Sequence, residues 1–318
     1  MFSFSFVARS RALANQVRRV RHLAPLVLIL PIAACEEPSS LLEPSQGKPA
    51  FAASAGPALI AYADGESGGI YLIAEDGTGP RSLTGMQAGI LDRFPDFAPG
   101  NRTLLFTRIQ GANSELYTIT TSGRRLRQLT NLGGENKQGT YSPSGKRIAF
   151  IHQDQLYLLN ANGADATPAI STPARLGSPS WAPDGGRIAF EVFNSANTTW
   201  HIGVMDVATS GWYTMQCPAA CHTPRWSPKG DVLVVELEGA AGTSVLQYVP
   251  ANSPAFTPFE TSPAGLNQVG GWSPDGSKFV FSSTRFDGVG DLLIRDAQGA
   301  IIPLTSGVSR DFQPTWSR

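Results

Sequence analysis

Hydrophobic positions recur along this chain in groups of three, and a segment of alternating apolar and polar residues follows each group about ten residues later. The groups are Leu104 to Phe106, Ile148 to Phe150, Ile188 to Phe190, Leu233 to Val235 and Phe279 to Phe281. Alternation with a period of two is typical of a half-buried strand, and runs this short do not fill a helix. The pattern predicts many short strands and no long helix.

A turn motif precedes each apolar triplet. Five copies are present, DFAPGNRTLLF, TYSPSGKRIAF, SWAPDGGRIAF, RWSPKGDVLVV and GWSPDGSKFVF, and a sixth begins as TWSR. Proline fixes φ near −65° and glycine accepts a positive φ, so the motif predicts a tight turn between two strands. The aromatic positions recur every 40 to 46 residues, a period typical of propeller blades: Phe97, Tyr141, Trp181, Trp226, Trp272 and Trp316.

Each repeat continues into a third strand, and several add a fourth that ends in Leu-Thr, as at Leu83-Thr84, Leu129-Thr130 and Leu304-Thr305. Four strands make a blade. The N-terminal region supplies Leu59 to Tyr62 without an aromatic first strand, and Pro314 to Ser317 supply such a strand at the other end. The predicted fold class is therefore all-β, a six-bladed β-propeller closed by pairing of the N- and C-terminal strands.

Charge and hydropathy divide the chain into three regions. The first 34 residues hold five arginines and no acid, which leaves 20 basic and 25 acidic residues in the rest, a net charge of −5. That balance excludes a basic surface for nucleic acid. We expect a lipoprotein signal peptide at 1–34, a flexible tether rich in Pro, Ser, Gly and Ala at 35–56, and the six-bladed propeller at 57–318.

The end of the first region predicts export and lipidation. The apolar run from Leu23 to Ala34 is too short to cross a bilayer as a helix and fits a signal-peptide core. It ends Ile32-Ala33-Ala34-Cys35, which resembles the bacterial lipobox, in which the cysteine thiol receives diacylglycerol. Glu36 then favours the outer membrane, with the protein facing the periplasm. The alternative is a secretory peptide with Cys35 left unmodified.

Two further cysteines, Cys217 and Cys221, lie four residues apart in CPAACH. An exported protein meets an oxidising compartment, so we predict a disulfide between them. The alternative is a metal site that uses both cysteines and His222, although the spacing differs from the usual zinc and haem patterns.

No set of residues makes a convincing enzyme active site. The segment from Gly65 to Gly69 matches Gly-x-Ser-x-Gly, but a strand follows it where a nucleophile elbow needs a helix, which predicts a hairpin loop. His152 and His222 are expected on loops at the mouth of the axial channel, where a cluster drawn from several blades remains an alternative.

In a propeller, the loops that join the fourth strand to the next first strand, and the second to the third, share one face. We expect the binding residues there, because loops on rigid scaffolds carry function. The candidates are Arg93, Lys137, His152, His222, Arg225, Arg285, Arg310 and Phe312. The segments Asp92-Arg93-Phe94 and Arg310-Asp311-Phe312 fit either binding contacts or salt bridges between blades.

The repeat P-x-W-S-P-D-G-x-x-I-A-F, followed by I-Y and R-x-L-T segments, resembles the propeller repeats of the TolB family and of dipeptidyl-peptidase-like enzymes. The resemblance covers essentially all of residues 57–318. TolB proteins are periplasmic and carry an α/β domain before the propeller, whereas this chain has the tether and the lipobox there. The peptidase relatives carry a hydrolase domain after the propeller, which we do not expect here. The resemblance implies an envelope protein partner.

Together these features predict a non-catalytic, protein-binding propeller lipoprotein of the cell envelope, a monomer that needs no cofactor. One alternative is a hydrolase, lyase or sugar binder that acts on a carbohydrate or small ligand in the central channel. Another is a propeller stabilised by Ca²⁺ through loop acids such as Asp64, Glu66 and Asp287.

Overall fold

The computed structural model describes residues 58–318 apart from 252, 254, 260–264, 287 and 308. The predicted signal peptide, Cys35 and the tether lie outside the described residues. The described chain forms six four-stranded antiparallel sheets. Its helical content is one 3-10 turn, Ala240–Gly242, and no described helix is long and apolar enough to cross a bilayer.

The strands follow one another blade by blade. The closing blade holds β1 (Leu59–Asp64), β2 (Ile70–Ala74) and β3 (Arg81–Ser82). Blade 1 holds β4 (Ile90–Phe97), β5 (Thr103–Gln110), β6 (Asn113–Thr120) and β7 (Arg127–Gln128). Blade 2 holds β8 (Asn136–Tyr141), β9 (Arg147–His152), β10 (Gln155–Asn160) and β11 (Thr167–Pro168).

The second half repeats the arrangement. Blade 3 holds β12 (Leu176–Trp181), β13 (Arg187–Asn194), β14 (Thr199–Asp206) and β15 (Trp212–Met215), and blade 4 holds β16 (Cys221–Trp226), β17 (Val232–Glu238), β18 (Ser244–Pro250) and β19 (Thr257–Pro258). Blade 5 holds β20 (Asn267–Trp272), β21 (Phe279–Ser283), β22 (Asp291–Arg295) and β23 (Ile301–Pro303). The last strand, β24 (Asp311–Trp316), returns to the closing blade.

The repeat motif has the structural role that its spacing predicts. The aromatic residue of every copy is the last residue of the inner strand of its blade, from Phe97 at the end of β4 to Trp316 at the end of β24. The glycine of each complete copy has a positive φ, between 69° and 87°. The prediction of a six-bladed, all-β propeller is confirmed.

The core lies between the blades. Six apolar clusters are found among the described residues, and each joins two neighbouring blades. The triplet on each second strand explains this, because successive side chains of a strand point to opposite faces. In β5, Leu104 and Phe106 pack against the closing blade, while Leu105 packs against blade 2. A strand buried on both faces therefore reads as a continuous apolar run.

The fourth strands are shorter than the Leu-Thr pattern predicts. In the closing blade the ladder stops at Ser82, before Leu83 and Thr84. The Thr84 hydroxyl instead accepts a hydrogen bond from Ile70 N at 2.8 Å, at the start of the third strand. Thr130 and Thr305 do the same in blades 1 and 5. The threonine is thus a side-chain clamp on the third strand.

Pairing of β24 with β1 closes the ring. The two strands are antiparallel, with Ile60 opposite Trp316 and Asp64 opposite Asp311. Backbone hydrogen bonds extend the pairing at both ends, from Gly65 N to Arg310 O at 2.7 Å and from Ser317 N to Leu59 O at 2.8 Å.

Arg318, the residue after Ser317, ties the closing blade to its neighbours. The Arg318 guanidinium contacts both carboxylate oxygens of Asp96 at 3.0 and 3.1 Å and donates to Tyr141 O at 3.0 Å. Its backbone N–H donates to Asn101 Oδ1 at 2.7 Å. Arg318 therefore links the closing strand to blades 1 and 2.

The closing seam contains two buried carboxyl groups. Although burial opposes it, hydrogen bonds from Ser309 and Ser67 hold the pKa of Asp64 below its usual value. Burial, together with the charges of Asp64 and Asp291, raises the pKa of Asp311 to about 7 despite a hydrogen bond from Thr305. Asp64 therefore keeps its charge, and Asp311 holds a proton below neutral pH.

We predict that Asp311→Asn stabilises the ring at alkaline pH. The folded-state pKa of about 7 lies above the unfolded value of about 3.9, so the folded state binds an extra proton and stability falls as the pH rises through that window. The variant lacks this penalty and should melt at least about 2 °C higher than the parent at pH 8. Thermal unfolding followed by circular dichroism at pH 8 and pH 5 measures it. The gain should shrink at pH 5, and an equal change at both pH values would refute the assignment.

Candidate functional site

The six inner strands surround the propeller axis, and each is irregular at the same place. Every pairing of a first with a second strand shifts register near the middle of the inner strand. In five of the six, a residue other than glycine has a positive φ there, between 44° and 58°: Phe94, Gln138, Ser178, Thr223 and Gln313. Such conformations cost about 1–3 kcal/mol each and persist only where the surroundings hold them.

Side chains from the preceding blade hold four of these bulges by binding the backbone N–H. Phe94 N donates to Gln313 Oε1 at 3.0 Å and Ser178 N donates to Gln138 Oε1 at 2.9 Å. Gln138 N and Thr223 N donate instead to side chains on second strands, Thr107 Oγ1 at 3.0 Å and Glu191 Oε1 at 2.7 Å. The bulges therefore form a ring of blade-to-blade contacts around the axis.

The ring encloses a cavity of about 250 Å³ on the propeller axis. All six inner strands line it, together with Glu191 from β13 and Glu236 from β17. Its volume lies slightly below the roughly 300–1,000 Å³ of pockets that hold drug-sized ligands. The cavity is thus suited to a small molecule or a single side chain.

One wall of the channel carries carboxylates around His222. Its Nε2 lies 3.2 Å from Glu238 Oε1, and its Nδ1 lies 3.9 Å from Glu191 Oε1. Burial alone would lower the pKa of His222, but Glu191, with Glu236 and Glu238, raises it. Burial raises the pKa of Glu236 to about 7, with Glu191 and Glu238 adding to the effect of burial and His222 opposing it.

Arg225 lies on the same inner strand as His222 and also lines the cavity. Burial lowers the pKa of its guanidinium, and attraction to Asp96 and Glu191 opposes that effect. The channel therefore holds a positive group and a negative group in one small space.

A second set of predicted residues lies at the channel mouth beside the closing blade. Arg93 stacks on the ring of Phe312 at 4.8 Å, and Arg310 lies 5.7 Å from the same ring. The Asp92 carboxylate does not form a salt bridge with a described residue of a neighbouring blade. It accepts two hydrogen bonds of 2.8 Å from Arg108 on the adjacent strand of its own blade. Within the described residues, the segments 92–94 and 310–312 therefore form no salt bridge between the blades. They are in contact through the cation–π interaction of Arg93 with Phe312.

The remaining candidate residues are engaged within their own parts of the face. Lys137 Nζ lies 2.5 Å from Glu135 Oε2 and 3.8 Å from Asp154 Oδ1. His152 Nδ1 lies 2.9 Å from Asn136 Oδ1. Arg285 Nε donates to Ser283 Oγ at 3.1 Å, and its terminal nitrogen donates to Asn267 Oδ1 at 2.9 Å. Both histidines lie on strands and not on the predicted loops, His152 at the end of β9 and His222 in β16. His222 lines the cavity and His152 does not, so the structure does not bring the two histidines together.

Apolar side chains are concentrated on the mouth side. Of eight large hydrophobic side chains that are exposed among the described residues, five lie on this face: Met86, Leu91, Leu132, Leu266 and Phe286. They come from loops between blades, from the start of β4 and from the β21–β22 loop. The others lie on outer strands or on the opposite face.

The cysteine pair lies at the start of β16, the inner strand that carries His222 and Arg225. Cys217 and Cys221 are joined as a disulfide in the structure. His201, which is 2% exposed, accepts a hydrogen bond from Cys217 N at 3.1 Å. Within the described ranges, no three His, Cys, Asp or Glu side chains are arranged to hold a metal ion.

The segment from Gly65 to Gly69 is the loop between β1 and β2, so the hairpin prediction is confirmed. Ser67 N donates to Asp64 Oδ1, and a strand follows the serine. Of the acids named for calcium, Asp287 lies outside the described residues, and calcium binding stays a prediction.

Glu191 and Glu236 were not among the candidates from sequence. Both occupy the position directly after the apolar triplet of a second strand, after Phe190 and Val235. A charged residue there interrupts a strand that is otherwise buried, and that signal could have identified them. The bulge glutamines, Gln138 and Gln313, carry no comparable signal.

Comparison with known proteins finds similarity to TolB. No protein-family model matches the chain. A segment of 94 residues is 34% identical to the Tol-Pal system protein TolB of Anaeromyxobacter dehalogenans, and it spans 27% of this chain and 21% of that protein. The chain thus matches only about a fifth of the length of that relative.

The solved structures agree on the fold. The crystal structure of TolB from Acinetobacter baumannii superposes with a TM-score of 0.68 at 16% identity and covers 82% of this chain and 66% of that one. The putative TolB from Agrobacterium tumefaciens superposes with a TM-score of 0.63 at 16% identity and covers 83% and 100%. The described part of this chain is a TolB-like β-propeller.

Proposed function

We propose that this protein is a non-catalytic binding module of the bacterial envelope, exported and anchored by a lipid on Cys35, which docks a protein partner at the channel mouth. The observation that carries the proposal is the concentration of exposed apolar side chains and stacked arginines on one face. Exposed apolar groups mark interaction sites when they cluster, and arginine and aromatic residues are enriched among the residues that dominate binding energy.

The charges of this face select the partner. Arg93 and Arg310 flank Phe312 near the closing blade, and within the described residues neither guanidinium lies within 4 Å of a carboxylate. Phe286, 60% exposed, lies on a loop of blade 5, which is the next blade of the ring. A partner segment that combines acidic and apolar residues complements this surface.

The similarity to TolB supports an envelope setting. The name of the relative ties it to the Tol-Pal system. The chain spans a small part of that protein, so the partner of this chain need not be a Tol-Pal component. The lipobox supports the anchor, and Glu36 supports the outer membrane.

We predict that Arg310→Glu and Phe286→Ser each weaken partner binding by roughly tenfold or more, because both side chains lie within the proposed contact. Site-specific cross-linkers on the mouth loops in intact cells, followed by mass spectrometry, identify the partner. Its affinity for each variant is then measured with purified proteins.

The matched control is Ile302→Ser. Ile302 is 51% exposed but lies on the outer strand β23, away from the mouth. Binding should survive this change. If the control loses the partner as fully as the two mouth variants do, the docking face is wrong.

We also predict that Cys35→Ser releases the protein from the membrane, because lipidation requires the thiol. The parent should fractionate with membranes and carry a mass increase at Cys35. The variant should lose both properties while its propeller keeps the same thermal transition. Equal membrane association of the two proteins would contradict the anchor.

A further inference from the structure

Among the described residues, Arg225 lines the channel cavity without forming an ion pair. Within the described part of the chain its guanidinium donates one hydrogen bond, to Pro224 O at 3.3 Å, and no carboxylate oxygen lies within 4.0 Å of it. Asp96 and Glu191 attract it from a greater distance. A guanidinium carries five N–H donors, so an arginine that lines the cavity and donates one hydrogen bond within the described residues keeps further donors for a ligand.

Two equivalent glutamates line the same cavity, but their roles differ. Glu191 has a structural role, because its Oε1 accepts a hydrogen bond of 2.7 Å from Thr223 N and so holds the bulge of the next blade. Glu236 occupies the same position one blade later, where the next inner strand has Gly270 and no positive-φ bulge. Among the described residues no backbone N–H donates to Glu236, and its hydrogen-bonding partner is the side chain of Ser244.

Among the described residues neither Arg225 nor Glu236 forms an ion pair within 4.0 Å, and together the two side chains restrict what the cavity can accept. A ligand with only a negative charge, bound at Arg225, would be repelled by Glu191 and Glu236. A ligand with only a positive charge, bound at Glu236, would be repelled by Arg225. A molecule that carries both charges satisfies both walls. The volume of about 250 Å³ limits it to a small size.

We propose that the channel binds a small zwitterion of the amino-acid class, with its carboxylate on the Arg225 guanidinium and its ammonium group on the Glu236 carboxylate. A guanidinium binds a carboxylate through two parallel hydrogen bonds, which orients the ligand as well as holding it. This site is independent of protein docking at the mouth, because it lies inside the ring of bulges.

The experiment is isothermal titration calorimetry on the detergent-solubilised full-length protein at pH 8, where Glu236 is ionised. The probes are glycine, L-alanine and D-alanine, each compared with its amide, which lacks the carboxylate, and its N-acetyl form, which lacks the ammonium group. At least one free amino acid should bind, and both of its blocked forms should bind at least tenfold more weakly. This comparison uses the parent protein and does not depend on whether a variant folds.

Variants then assign the two contacts. Arg225→Met and Glu236→Gln should each weaken binding at least tenfold, whereas Arg102→Met, on the exposed turn after β4, should leave it unchanged. Thermal unfolding confirms that each variant is folded. The proposal is overturned if none of the three amino acids binds, if one blocked form binds as tightly as the free amino acid, or if a folded Arg225→Met protein binds normally.

Discussion

The pairing of β24 with β1 is the contact on which the other parts of the structure depend. Each blade buries its apolar triplet against both neighbours, so the two wedges of core on either side of the closing blade are incomplete until the ring is shut. Trp316 occupies the place in the closing blade that Trp272 occupies in blade 5, and it is 2% exposed. The seam also accommodates Asp311 beside Asp64, a local cost that the surrounding packing offsets.

Closure also shapes the candidate site. The strained residues at the axis are held by side chains that reach from one blade to the next, and Gln313, on the closing strand itself, holds the bulge at Phe94. A ring that opened would release these contacts and the cavity with them. The site is therefore a property of the assembled ring. It places Arg225 and Glu236 together in a cavity of about 250 Å³.

Much of the fold follows from local signals. The turn motif and the triplets mark strand ends because proline, glycine and two-sided burial each leave a specific residue pattern. The sequence predicts that the Leu-Thr ends continue the fourth strands. It does not reveal that the Thr84 hydroxyl accepts a hydrogen bond from the backbone of Ile70 instead. At the mouth, the stacking of Arg93 on Phe312 depends on two residues more than 200 positions apart. Arg225 and His222 are candidates from the sequence, but the sequence does not show that they share one cavity with Glu191 and Glu236, because neighbouring blades bring these residues together only in three dimensions.

The most direct test removes residues 311–318 and restores them elsewhere. We expect the deletion to abolish the cooperative thermal transition, because β1 loses its partner and two wedges open. A permuted chain that places these residues ahead of Leu59, joined through the Ser-Pro-Asp-Gly turn of blade 5, should recover the transition of the parent. A deleted protein that melts cooperatively at the temperature of the parent would contradict the closed ring.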